Sequence, residues 1–96
     1  MHNPETDLLP SALRALQGNI PASLRAFSAE YRAGTIHLRS IFDETATDAE
    51  VELLSIAAAE IIADFPALNL EEEYLRGTAT DAMAHLALPV FLRDEG

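Results

Sequence analysis

SLRAFSAEYRAGTIHLRSIFD, residues 23–43, decides the fold. Two alternating runs flank Ala33-Gly34. With those two residues as the turn, Arg32 lies opposite Thr35 and the runs pair as a β-hairpin. Counting outward, one face collects Phe27, Ala29, Tyr31, Ile36, Leu38, Ser40 and Phe42 and is strongly apolar. The other collects Leu24, Ala26, Ser28, Glu30, His37, Arg39 and Ile41 and is mixed. One register satisfies both strands at once. A slip of one residue would carry Glu30, His37 and Arg39 into the core.

Downstream, Thr47-Asp48-Ala49-Glu50 has the capping-box pattern of a helix start. The helix it opens is expected from Asp48 to Asp64, with Leu54, Ala57, Ala58, Ile61, Ile62 and Phe65 as its apolar stripe. Pro66 ends it. Asn69 to Arg76 alternates as a third strand, with Leu70, Glu72, Tyr74 and Arg76 on one side and Asn69, Glu71, Glu73 and Leu75 on the other. Three successive glutamates suit an edge better than a sheet centre. Gly77 to Ala82 reads as a loop, Ala82 to Leu88 as a turn of helix and Val90 to Arg93 as a last short strand. Upstream, Leu8 to Gln17 reads as a helix capped by Asp7, with Leu9, Ala12, Leu13 and Leu16 on its buried face. Gly18 and Pro21 end it. Residues 1–6 are expected to be a flexible end.

The order is then α-β-β-α-β-β within one domain over residues 1–96. The simplest packing is a two-layer α+β fold, with a mostly antiparallel sheet and both helices on one face. These signals leave the strand order open.

Charge is distributed unevenly along this frame. Between Arg39 and Arg76 there is no basic residue, yet the stretch holds Asp43, Glu44, Asp48, Glu50, Glu52, Glu60, Asp64, Glu71, Glu72 and Glu73. The six other acids are matched by six arginines, so the net charge of -10 resides in that third of the chain. Such a field selects for a basic partner and argues against binding nucleic-acid phosphates. The chain has 49% hydrophobic residues, too many for a disordered acidic tail. It has no cysteine, hence neither disulfides nor a thiolate zinc site. Residues 1–5 show no signal-peptide pattern and no apolar run reaches the ~18 residues of a membrane span. The expected location is the cytoplasm, as a monomer or weak dimer.

Sites for chemistry are sparse. Alternation splits Glu71, Glu72 and Glu73 between two faces, so they cannot converge on one metal ion. Glu30 and His37 fall opposite each other and could form half of a catalytic dyad, but an enzyme would need a pocket of ~300 Å³ or more around them. An exposed polar ladder with Ser28 and Arg39 is the plainer reading. His85 and Asp81 could pair weakly on a short helix. No cofactor is implied, and no phosphate loop, dinucleotide fingerprint or nucleophile elbow occurs.

The runs Gly18-Asn19-Ile20-Pro21 with Leu24-Arg25-Ala26, Ile36-His37-Leu38-Arg39-Ser40-Ile41-Phe42-Asp43 and Ala59-Glu60-Ile61-Ile62-Ala63-Asp64-Phe65-Pro66 resemble small bacterial immunity proteins. They resemble most those of contact-dependent growth inhibition systems. The resemblance covers residues 8–76 and rests on core and turn residues. It implies a compact α/β protein without enzymatic activity, which binds and neutralises a cognate toxin domain, often a nuclease. The contact surface is then argued from charge: Asp43, Glu44, Asp48, Glu50, Glu52, Glu71, Glu72 and Glu73, with Tyr74 as an aromatic anchor. The alternative is a small homo-oligomeric structural or regulatory module. It would associate through a strand edge or the Leu24-Ala26-Ile41 side of the hairpin.

Overall fold

The hairpin forms in the register that its alternation dictates. In the computed structural model, which describes residues 3–77 and 86–93, β1 (Leu24–Arg32) and β2 (Thr35–Phe42) pair antiparallel. Arg32 lies opposite Thr35, Glu30 opposite His37 and Ser28 opposite Arg39. Ala33 and Gly34 turn the chain at φ of 51° and 79°, the left-handed values that a tight two-residue hairpin loop demands of both positions. One departure from the expected faces occurs at the start of β1. A register shift between Leu24 and Ala26 brings Leu24 opposite Phe42. The extra residue of such a bulge reverses the side-chain parity beyond it. Leu24 is therefore fully buried with the apolar face, not on the mixed one.

Two helices cover that apolar face. Leu8, Ala12, Ala15 and Leu16 of α1 (Pro4–Leu16) and Leu54, Ala57, Ala58 and Ile61 of α2 (Asp48–Ala63) join Phe27, Ala29, Ile36, Leu38 and Phe42 in one core cluster. The cap of α2 is as expected: the Thr47 side chain accepts from the Glu50 N–H and the Glu50 carboxylate accepts from the Thr47 N–H at 3.0 Å. Its buried stripe is also as expected, with Ile62 only half-buried. The start of α1 is corrected. Asn3, not Asp7, is its cap, and accepts from the Glu5 N–H at 2.9 Å. Pro4 then occupies the first turn, where a missing N–H is harmless. Residues 4–6 are thus part of the helix, which starts four residues earlier than expected. The buried face is rotated as well, since Leu8, Ser11 and Ala15 point inward while Leu9 and Leu13 are exposed. Ser11 is buried because its hydroxyl donates to Asp64 at 2.6 Å, joining the two helices.

The sheet is mixed, which corrects the expectation of a mostly antiparallel one. Its order is β3-β2-β1-β4, with β3 spanning Asn69–Arg76 and β4 Leu88–Leu92. β4 is antiparallel to β1, but β3 runs parallel to β2. The helix α2 is the reason: between two strands of one sheet it returns the chain to its starting end, so the second strand repeats the direction of the first. β3 has the bounds and the edge position that its glutamates suggested. β4 starts two residues earlier than expected and carries Pro89 on an edge, where no ladder donor is needed. The expected helical turn at 82–88 falls mostly outside the described residues, and Leu88 is already in β4.

Ala33 stores backbone strain that asparagine would relieve, because asparagine tolerates the left-handed region far better. Ala33→Asn should stabilise the fold by about 1 kcal/mol, which for a domain of this size raises the melting temperature by roughly 4–8 °C. A melting temperature that stays level or falls would contradict the strain.

Candidate functional site

The fold sorts the acidic third of the chain into paired and unpaired carboxylates. Asp64, beside the last turn of α2, takes a 2.9 Å ion pair from Arg14 of α1 as well as the Ser11 hydroxyl. Glu50 is occupied by the helix cap, where the Thr47 N–H foremost lowers its pKa. The β3 glutamates divide by parity. Glu71 and Glu73 lie on the face away from the helices, where Glu71 meets His37 Nδ1 at 3.2 Å and Glu73 meets Arg39 Nε at 2.6 Å. Glu44, Asp48 and Glu52 are exposed and form no ion pair among the described residues.

Glu72 and Tyr74 lie on the other side of β3, toward α2. The Tyr74 hydroxyl donates to the Glu72 carboxylate, and Ser55 of α2 lies beside it. Partial burial raises the pKa of this phenol, and the hydrogen bond to Glu72 and the charges of Glu72 and Glu52 add to the rise. The phenol therefore stays protonated and works as a donor. Glu52 is thus near enough to act on Tyr74, which brings α2 and β3 together in a single surface. Along α2, Asp48, Glu52 and Ile56 recur every four residues, and residues so spaced share a helix face. Ile56 is 44% exposed and Tyr74 38% exposed. The result is an exposed Tyr74 flanked by Glu72 and Glu52, with Asp48 and Ile56 one turn before and one turn after Glu52 along the outer side of α2.

Of the nine residues selected by charge, Asp48, Glu52, Glu72 and Tyr74 come together here. Glu71 and Glu73 are directed to the opposite face and Asp43 is turned to a structural task described below. Ile56 was missed, because in the sequence it reads as one more apolar residue of a helix. Its place one turn after Glu52, outside the buried stripe, is the signal that could have found it.

The Glu30–His37 dyad is not assembled. Glu30 is engaged by Arg32 at 2.7 Å and by the Ala87 N–H at 3.2 Å, while His37 turns to Glu71. His37 lines a depression of about 350 Å³ with Arg32, Arg39, Glu71 and Glu73, but Glu30 does not. No group of three or more histidines or carboxylates suited to a metal ion occurs among the described residues. The Asp81–His85 pair lies outside them. Among the described residues no helix is long and apolar enough to cross a membrane.

The model of the MafI2 immunity protein family matches residues 5–95. No curated protein matches the chain.

Asp43 ends β2 and closes the sheet. Its carboxylate accepts from Arg93 Nη1 at 2.8 Å and from the Thr45 N–H and hydroxyl at 2.8 and 2.6 Å. The same Arg93 nitrogen also donates to the Ala22 carbonyl, so the pair ties the end of β4 across β1 to the end of β2. The Arg93 guanidinium foremost, then Thr45, holds the Asp43 pKa at about 2 against an ordinary 3.8. A pKa depressed by folding adds stability that is complete above the unfolded value and disappears as pH falls through the folded one. Asp43→Asn should therefore cost about 1–3 kcal/mol at pH 7. Its melting temperature should converge with that of the wild type as the pH drops from about 4 to 2. A gap that persists at pH 2 would contradict the assignment.

Proposed function

The chain belongs to the MafI2 immunity protein family, and from that footing we propose that it neutralises a cognate toxin domain by blocking a basic active-site groove with the face built from α2 and β3. The family match extends the resemblance seen in the sequence from residues 8–76 to 5–95, so it includes the C-terminal strand. An immunity protein of this kind works by binding and performs no chemistry of its own. The observation that carries the choice of face is the placing of Glu72 of β3 and Glu52 of α2 beside the exposed Tyr74.

A nuclease holds its substrate through cations that contact phosphates. A rigid surface bearing carboxylates at protein-like spacing competes for the same cations. Opposite charge steers the encounter, while the desolvated apolar centre governs how long the complex lasts. Tyr74 suits that centre: its ring offers contact area at small entropic cost, and its hydroxyl is already oriented by Glu72. The carboxylates consumed inside the fold, Asp43, Glu50 and Asp64, contribute only to the distant field.

Co-expression with the toxin domain encoded by the adjacent reading frame tests the reading, with cell survival and co-purification as readouts. In that complex, Glu52→Lys with Glu72→Lys should slow association at low salt by about tenfold or more, with little change in the melting temperature. Tyr74→Ala should act mainly on dissociation. Association that is unchanged at low salt would remove the electrostatic part of the proposal.

A further inference from the structure

Half of the hydrogen-bonding groups on the β3 backbone face away from the sheet. The Asn69 N–H donates to the Gly34 carbonyl at 3.0 Å, and eight residues on the Gly77 N–H donates to the Phe42 carbonyl at 2.9 Å. In a parallel ladder every second residue turns both its N–H and its C=O toward the neighbouring strand. The parity set by Asn69 and Gly77 turns Glu71, Glu73 and Leu75 toward β2. It leaves the N–H and C=O groups of Leu70, Glu72, Tyr74 and Arg76 pointing outward. Among the described residues no strand lies on that side, and every β3 residue but Leu70 is exposed. Such an edge is a template for a strand from another chain.

Building on the neutralisation reading above, we propose that the toxin docks by adding one of its own strands to β3, and that this strand carries arginine or lysine at alternate positions. Charge and parity select this occupant. Incoming side chains on the α2 side of the sheet meet Glu72, Glu52 and Tyr74, where the carboxylates have no cationic partner among the described residues. Those on the opposite side meet Glu71 and Glu73, which His37 and Arg39 already engage. The demand for positive charge therefore falls on every second residue, which is the period of a strand. A second copy of the chain is disfavoured, because two β3 edges together carry six glutamates against two arginines, and like charges brought close destabilise a sheet. β3 has no lysine or proline to blunt it. Its guard is the carboxylates, which repel copies of itself and admit a basic strand.

Amide hydrogen exchange of the full chain, free and bound to the catalytically inactivated toxin domain of the adjacent reading frame, tests the proposal. The amides of Leu70, Glu72, Tyr74 and Arg76 should exchange at least ~100-fold more slowly in the complex, as buried strand amides do. Glu72→Pro deletes an outward donor and leaves the β2 ladder intact, so it should weaken binding by about tenfold or more, whereas Glu72→Gln should weaken it less. A neutralising complex in which those four amides exchange as fast as in the free chain overturns strand addition alone. Absence of any complex overturns the neutralisation reading with it. Self-association of the free chain through β3 overturns the choice of occupant. The exchange measurement on the wild type decides the matter even where Glu72→Pro fails to fold.

Discussion

Side-chain alternation along the β2–β3 pair governs what each carboxylate in this chain can do. Burial of one sheet face under α1 and α2 fixes the register of β1 against β2, and the parallel ladder transmits that register to β3. From then on, odd and even positions of β3 have different fates. Glu71 and Glu73 meet His37 and Arg39 of β2 on one face, while Glu72 and Tyr74 reach α2 on the other. A sequence with its acids in one block becomes a molecule with two acidic surfaces, of which one is internally compensated.

The parts of the fold carried by short-range rules were legible. The hairpin needed only period two and a turn, and a one-residue error would have buried Glu30 and Arg39. The capping box of α2 is local by construction. The parts that failed depend on distant partners. Strand direction at β3 follows from the return path of α2, which no local pattern encodes. The face of α1 was misread because Ser11 is drawn inward by Asp64, fifty-three residues away. Asp43 resembled an exposed docking acid until Arg93 arrived from the far end of the chain.

The candidate site was legible as a charge block but not as a surface. Net charge counts Asp43, Glu50 and Asp64 at full value, although each is spent on a cap or an interstrand tie. What remains near α2 and β3 is smaller than the sequence suggested and better formed, since Glu72 and Glu52 flank the exposed ring of Tyr74. Charge alone would favour many basic partners weakly. An aromatic contact beside an edge that offers the outward N–H and C=O groups of four residues adds the geometry that discrimination needs.

The account stands or falls on which surface the toxin covers. A crystal structure of the chain bound to its cognate toxin domain tests this most directly. It should show Glu52, Ile56, Glu72 and Tyr74 buried at the contact, with toxin cations against the two glutamates. A complex seated instead on the exposed Leu9 and Leu13 of α1, with the α2–β3 face left open to water, would contradict it.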